Sequence, residues 1–375
     1  MSGALERAGP SAARPSVAIA GAGWVSHHCY RPALAENGLR LSAVADPDLE
    51  AARRLVAEAG EGEAVSEAGD LLRYPADLMV IATPNALHAP LSRSALAAGF
   101  RVLCEKPLAL SRADVEDLLV DGSGRLAVSC PYRFREDIQA LAGLARSGDL
   151  GEIYRVRLSW DRARGVPQPG SWYTQRRISG GGVLADLGPH LIDLALLFTG
   201  HPQVLEVSAW TGTLLSGSDE YASSWMSSSS RRGDVVDVED QASLLLKLAS
   251  GVAEIHVSWA GHRGCDSTRL ELEGTRGRAV LKTLLGYSTE GPVSPPRLDV
   301  FRAGGATSRE LPFERRPATD FGRMLRACLD GGSVFPGVAT GEQALAVVDV
   351  LERAYADAGG RAHTPEGLRT SRRPR

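Results

Sequence analysis

The chain has 375 residues and 39.8 kDa, with 42 basic against 45 acidic side chains, a net charge of −3 and 43% hydrophobic residues. That length favours two domains, and that composition allows a sizeable core and excludes wholesale disorder. The near-neutral balance lacks the basic excess of a nucleic-acid binder. Only three of the 42 basic residues, Lys106, Lys247 and Lys282, are lysines.

In chain order, Ser16–Ala20 is a short apolar strand ending in glycines. A helical stretch follows to Asn37-Gly38, a natural stop. Leu41–Ala45 is a second buried strand, Leu49–Ala59 a helix, and Asp77–Ala82 a third strand closed by Thr83-Pro84-Asn85. Ala86–Ala98 is helical, Phe100–Cys104 a strand, Ser111–Val120 a helix with Ser111 as N-cap, and Leu126–Ser129 a strand. Continuous apolar strands alternating with helices predict an α/β unit with a parallel sheet covered on both faces.

Beyond about residue 150 the rhythm changes. Ile153–Trp160, Gln203–Gly212, Asp240–Leu248, Ala253–Trp259, Thr268–Glu273, Arg278–Lys282 and Arg297–Phe301 read as strands joined by turn residues. One long helix over Val183–Phe198 comes before most of them, and helical patterns return at Pro317–Leu329 and Glu342–Ala356. Successive strands predict a second, α+β domain with a large, mostly antiparallel open sheet. The expected organisation is a disordered tail over 1–15, a dinucleotide-binding domain over 16–132, an α+β substrate and oligomerisation domain over 133–358, and a second tail over 359–375. A helix near 339–358 returns to the first domain. The serine-rich stretch Leu215–Asp234 reads as a mobile loop or insertion.

Five cysteines (Cys29, Cys104, Cys130, Cys265 and Cys328) are odd in number and form no C-x-x-C pair. That argues against a disulfide framework or a thiolate zinc site and points to a reducing, cytoplasmic compartment with no metal. No apolar run reaches about 18 residues, so no membrane partner is expected.

Gly21-Ala22-Gly23-Trp24-Val25-Ser26 follows the first strand and opens a helix. In that context the first glycine makes a tight turn, the second lets the backbone approach a pyrophosphate, and the helix N-terminus offers N–H groups to it. Ser26 replaces the third glycine and still allows close packing. Asp46 lies 25 residues after Gly21, at the end of the second strand, where a carboxylate would bind adenosine ribose hydroxyls. Read without chemistry, the glycines only turn the chain and Asp46 is a solvated strand end. A carboxylate at 46 repels a 2′-phosphate and Pro47 follows it, which favours NAD(H) over NADP(H). Arg53 and Arg54 keep NADP open.

Two further segments carry reactive side chains. Cys104-Glu105-Lys106-Pro107 ends a strand, and in open parallel sheets ligands bind outside the carboxyl ends of the strands. Within Gly180–Asp193, the residues Asp186, His190 and Asp193 fall at i, i+4 and i+7 on one helix face. A carboxylate one turn from a histidine can orient the ring as a general base requires, or can simply join helix to sheet. Pro189 lacks the N–H that would bond Ala185, so the helix can begin or kink there.

These motifs together resemble the Gfo/Idh/MocA oxidoreductases, the glucose–fructose oxidoreductase and inositol dehydrogenase family. The resemblance runs from Ser16 to Ala358 and rests on Gly21–Ser26 with Asp46, on Ala82–His88, on Glu105-Lys106-Pro107 and on Gly180–Asp193. It implies a Rossmann domain followed by an α+β domain whose open sheet makes a homodimer or homotetramer. It implies hydride transfer between nicotinamide and a secondary alcohol or ketone of a sugar, amino sugar or cyclitol, with Lys106, Asp186 and His190 catalytic. Gly21, Gly23, Trp24, Val25, Asp46, Thr83, Pro84, Asn85, His88, Glu105 and Lys106 would hold the cofactor. Tyr132, Arg133, Trp172, Tyr173 and Asp193 are candidates for the substrate, with ordinary packing as the other reading of Trp172 and Tyr173. Cys29 stands where many relatives have histidine, and Leu215–Asp234 is longer than usual. Close alternatives are an NADP-dependent ketoreductase of a nucleotide-linked or deoxy sugar, and a nucleotide-sensing regulator. Intact Lys106, Asp186 and His190 weigh against the regulator.

Overall fold

The computed structural model describes residues 14–122, 124–216, 219–223, 236–286, 294–312, 316–330 and 337–359. All of the expected tails but Arg14, Pro15 and Gly359 therefore lie outside the described residues, as does most of the serine-rich stretch.

The first sheet contains β1 (Ser16–Ala20), β2 (Arg40–Ala45), β3 (Glu63–Val65), β4 (Leu78–Ile81), β5 (Val102–Cys104) and β6 (Leu126–Val128), all parallel, in the order β6-β5-β4-β1-β2-β3. β1 and β4 are buried at every position because helices cover both faces. One face holds α1 (Arg31–Glu36) and α2 (Leu49–Ala59); the other holds α3 (His88–Ala97) and α4 (Arg112–Gly122). Ser111 Oγ accepts the Asp114 N–H at 3.1 Å, as an N-cap does. The strand order reverses between β1 and β4, the switch point at which such sheets bind nucleotides.

After α5 (Glu136–Arg146) comes β7 (Ile153–Asp161), then three helices: α6 (Arg176–Ser179), α7 (Val183–Asp186) and α8 (Gly188–Phe198). The second sheet adds β8 (Val204–Gly212), β9 (Gln241–Leu248), β10 (Gly251–Ser258), β11 (Ser267–Gly274), β12 (Gly277–Thr283), β13 (Arg297–Arg302) and β14 (Gly305–Glu310). Its order is β14-β13-β12-β11-β7-β10-β9-β8, antiparallel except for the β7–β10 pair. Val156, Leu158 and Ile255 on its inner face meet Leu191, Ile192 and Ala195 of α8 in one core. The outer face carries an Arg–Glu ladder, including Arg155–Glu254, Arg157–Glu271 and Arg278–Glu271. That alternation of apolar-in and charged-out is what a one-sided antiparallel sheet requires.

The chain then forms α9 (Pro317–Asp330), β15 (Ala339–Thr340) and α10 (Gly341–Ala358). β15 pairs antiparallel with β6 at the edge of the first sheet. A capping box at Thr340 and Gln343 starts α10. Ala344 and Val348 of α10 join the core of the first sheet, while Val347, Val350, Leu351 and Ala354 join that of the second.

The sequence reading needs correction in several places. The single helix expected over Val183–Phe198 is broken at Leu187 and bent by 48°. Pro189 has no N–H to continue α7, so α8 begins instead. The first helical stretch opens with a π-helical turn over Ser26–Tyr30 before α1. β3, β14, β15 and α5 were not expected. β14 is exposed at all six positions and so lacks an apolar alternation, and β15 is only two residues long. Among the described residues no single helix is long and apolar enough to cross a membrane.

Candidate active site

A cavity of about 970 Å³ opens at the carboxyl ends of the first sheet's strands and runs under α7 and α8 to the second sheet. Its size lies at the upper end of the range for small-molecule and cofactor sites.

The glycine turn forms one end. Gly21 has φ +101°, and a Cβ there would meet the Ala82 carbonyl oxygen at 2.2 Å, so only glycine lets β1 and β4 converge. Ser26, fully buried, donates its hydroxyl to the Gly21 carbonyl at 2.6 Å and closes the turn from below. At Gly23 a Cβ would meet nothing within 4 Å, so the backbone borders open cavity. Asp46 lines the same end. Its Oδ2 accepts the Ala22 N–H at 2.8 Å and its Oδ1 accepts the Asp48 N–H at 2.9 Å. These features fit a dinucleotide: an open glycine backbone for the pyrophosphate and a fixed carboxylate at the end of β2. Trp24, Val25, Thr83, Pro84 and Asn85 line the cavity beside it, and Asn85 Nδ2 donates to the Ser179 carbonyl at 2.8 Å, tying the loop after β4 to α6. Arg53 and Arg54 are exposed and face Glu50 and Asp48.

His88 borders this region, but both ring nitrogens face backbone carbonyls. Nδ1 lies 2.7 Å from Pro107 O and Nε2 lies 2.8 Å from Thr83 O. The ring thus straps the loop after β4 to the loop after β5. Glu105, in that second loop, accepts the Tyr30 hydroxyl at 2.7 Å. Burial raises the Glu105 carboxyl, against the opposing pull of Tyr30 and Lys106.

Next to Glu105, Lys106 reaches across to the end of α7. Its Nζ donates to the Asp186 carbonyl at 2.7 Å and to Asp186 Oδ1 at 2.9 Å. Asp186 Oδ2 accepts the Trp259 indole N–H at 2.9 Å. Burial would raise this carboxyl, but Lys106, Arg162 and the Trp259 N–H outweigh it and hold it below its ordinary 3.8, at about 2. The Asp186 carboxyl therefore stays ionised across the physiological range. Glycine at 182 makes the approach of α7 possible, since a Cβ there would meet the Glu239 carbonyl oxygen at 1.9 Å. Glu239 in turn accepts the N–H groups of Gly182 and Leu184, at 2.9 and 3.1 Å.

His190 enters from α8, past the bend. Its ring packs edge-on against Tyr132, with centroids 4.7 Å apart, and near Trp160. The ring is buried, and Nδ1 has no hydrogen-bond partner among the described residues. Burial pushes its pKa well below 6.5; Lys106 and Arg162 add to that and Asp186 opposes it. Trp172 and Tyr173 stack on each other at 3.8 Å and wall the same end.

The bend breaks the expected polar stripe. Asp193 is not in the cavity lining, and neither is Arg133. They form a buried two-pronged ion pair, Nε to Oδ2 at 2.8 Å and NH2 to Oδ1 at 2.5 Å, each side chain 3% exposed. Arg133 also donates to Gln343 at 2.8 Å. This pair joins α8 to the loop after β6 and to α10, so its placement does not fit substrate contact. Sequence reasoning also missed Trp160, Arg162, Arg164 and Trp259, which reach the site from β7, β10 and the segments after them. The run Asp161-Arg162-Ala163-Arg164, charged residues directly after the strand expected over Ile153–Trp160, was the available signal.

A strand-order switch point, an open glycine turn and a partly buried Lys–Asp–His cluster in one cavity define a dinucleotide-dependent oxidoreductase. The chain belongs to the Gfo/Idh/MocA oxidoreductase family: residues 16–121 match the oxidoreductase family with an NAD-binding Rossmann fold, and residues 138–280 match the GFO/IDH/MocA C-terminal domain. It is 33% identical, over 93% of its length and 98% of the relative's, to a protein of Amycolatopsis mediterranei (strain S699) provisionally named as a UDP-kanosamine synthase oxidoreductase subunit. It is 27% identical to the levoglucosan dehydrogenase of Pseudarthrobacter phenanthrenivorans, over 86% of this chain and 88% of that one. The crystal structure of GenD2 from gentamicin A biosynthesis, in complex with NAD, has the same fold, with a TM-score of 0.71 at 24% identity over 95% of this chain and 97% of that one.

Proposed function

We propose that this oxidoreductase is an NAD-dependent dehydrogenase of a sugar, amino sugar or cyclitol, with His190, Lys106 and Asp186 at the reaction centre. When bound, NAD supplies a hydride acceptor or donor at C4 of its nicotinamide. His190 takes the proton of the substrate hydroxyl during oxidation and returns it during reduction. Its depressed pKa supports this role, because a general base must be neutral before it acts. An ammonium group has three donors, and Lys106 spends two on Asp186, which leaves one for the reacting oxygen. That donor stabilises the negative charge that develops there. Asp186 holds the lysine in place with help from Trp259.

The observation that carries this reading is the meeting of the Lys106–Asp186 pair with a His190 ring whose Nδ1 has no hydrogen-bond partner among the described residues, in the cavity that also holds the Gly21 turn. Sugars named for two relatives agree with it. NAD is favoured over NADP because Asp46, Pro47 and Glu67 line the adenosine end, whereas Arg53 and Arg54 lie outside the lining. The enzyme is further proposed to be cytoplasmic and to form a homodimer or homotetramer through the outer face of the second sheet.

The test is a screen of polyols, amino sugars and sugar nucleotides with NAD and NADP, following reduced-cofactor absorbance. Turnover with NAD on at least one polyol or sugar is expected. Undiminished turnover by Lys106→Met or His190→Ala would remove these residues from the mechanism.

A further inference from the structure

We infer that Arg162 and Arg164 form a phosphate-recognition track in the substrate end of the cavity, so that the true substrate is a phosphate ester of a sugar rather than a free one. The inference rests on the dehydrogenase reading above and narrows its substrate class.

Both arginines follow β7, two residues apart, and both line the cavity. Arg162 is the deeper. Its guanidinium sits 5.4 Å from the centre of the Trp160 ring, which also lies against His190. It is close enough to Asp186, His190, Tyr132 and Tyr173 to act on their charge. Arg164 is exposed at the rim. The two therefore lead from the cluster of Asp186 and His190 outward to the rim.

Almost every other described arginine is committed to a carboxylate or a carbonyl. These two have no side-chain ion pair or hydrogen bond to any described residue, and Arg162 Nε is buried and unpartnered. The acidic neighbours are engaged elsewhere: Asp186, whose charge Arg162 acts on, is held by Lys106 and Trp259. Asp161 pairs with Arg263 and His256, and Asp266 accepts the Ala163 N–H at 2.8 Å. That last bond, with Arg162 N–H on the Ser258 carbonyl at 3.0 Å, fixes the backbone that carries both arginines. A half-buried guanidinium with no direct ion pair among the described residues is costly, and its planar fork matches a phosphate. With a net charge of −3 the molecule as a whole does not attract anions, so the attraction is local.

The experiment titrates NADH-loaded enzyme with UDP-glucose, glucose 6-phosphate, glucose and glucuronate by calorimetry. It is repeated with Arg162→Gln, Arg164→Gln and the double variant. One or both phosphate esters should bind about 10- to 100-fold more tightly than glucose. The preference should shrink to within about threefold in the double variant, and it should fall with added salt. Tighter binding of UDP-glucose identifies a nucleotide-linked sugar, and tighter binding of glucose 6-phosphate a simple ester. Arg164 is exposed, so its substitution reads the preference without threatening the fold. Equal binding of glucose and the esters, a preference that survives in the double variant, or glucuronate binding as tightly as the esters would each overturn the inference. NADH binding with no sugar binding at all would also overturn it. If NADH itself fails to bind, the fault lies with the dehydrogenase reading.

Discussion

Two ion pairs whose aspartates lie seven residues apart on the chain behave as opposites. Lys106–Asp186 sits in the cavity wall with both side chains 16% exposed, and its carboxylate also takes an indole N–H. Arg133–Asp193 is sealed at 3% exposure and closed by a two-pronged contact. The lysine is a compact charge with a donor to spare, whereas the arginine's fork is spent on protein. A pair that must meet substrate keeps a free donor and a path to solvent; a pair that only joins elements uses up every donor it can.

The comparison breaks if the two pairs respond alike to mutation. The largest effect is expected at the first site. His190→Ala should lower kcat by about 10²–10⁴-fold, and Lys106→Met by about 10²–10³-fold, with NADH still binding by fluorescence titration. Arg133→Met should instead cost about 3–5 kcal/mol of stability, read as a lower urea midpoint, because it strands a buried carboxylate. Loss of turnover at unchanged stability in that variant would erase the distinction.

A smaller effect sharpens the electrostatics. Oxidation needs neutral His190, so kcat/KM should fall as pH drops through its depressed pKa, below 6.5. Asp186→Asn removes a charge that raises that pKa, and the acid limb should move to lower pH. Lys106→Met removes a charge that lowers it, and the limb of any residual activity should move to higher pH. Shifts in the opposite sense would show that His190 is not the titrating base. The smallest effect is at the far end of the cavity. Asp46→Asn should weaken NADH binding by about tenfold and narrow its margin over NADPH. A wild-type enzyme that binds NADPH more tightly would mean that Asp46 does not meet the ribose.

The cofactor end was legible because its parts are local: a glycine turn, a strand end and two short loops, each readable in its own stretch of chain. Lys106, Asp186 and His190 were legible for the same reason, each inside a compact motif. Their grouping was not, since spacing placed Asp186, His190 and Asp193 on one face and the bend before Pro189 sends Asp193 elsewhere. Trp259 and Glu239 escaped notice because they matter only through residues far away in sequence, one holding Asp186 and the other the entry to α7. Strand β14, exposed throughout, has no apolar pattern to read.

The late return of β15 and α10 bears on how the chain comes into being. Translation delivers β1 to β6 first, yet the edge beside β6 is not covered until residues 339–340 emerge, and α10 follows directly. The nascent first half must therefore wait on the ribosome with an open strand edge and an uncovered apolar patch around Ala344 and Val348's future seat. The arrival of β15 and α10, rather than that of β6, is then the moment at which both halves become whole together.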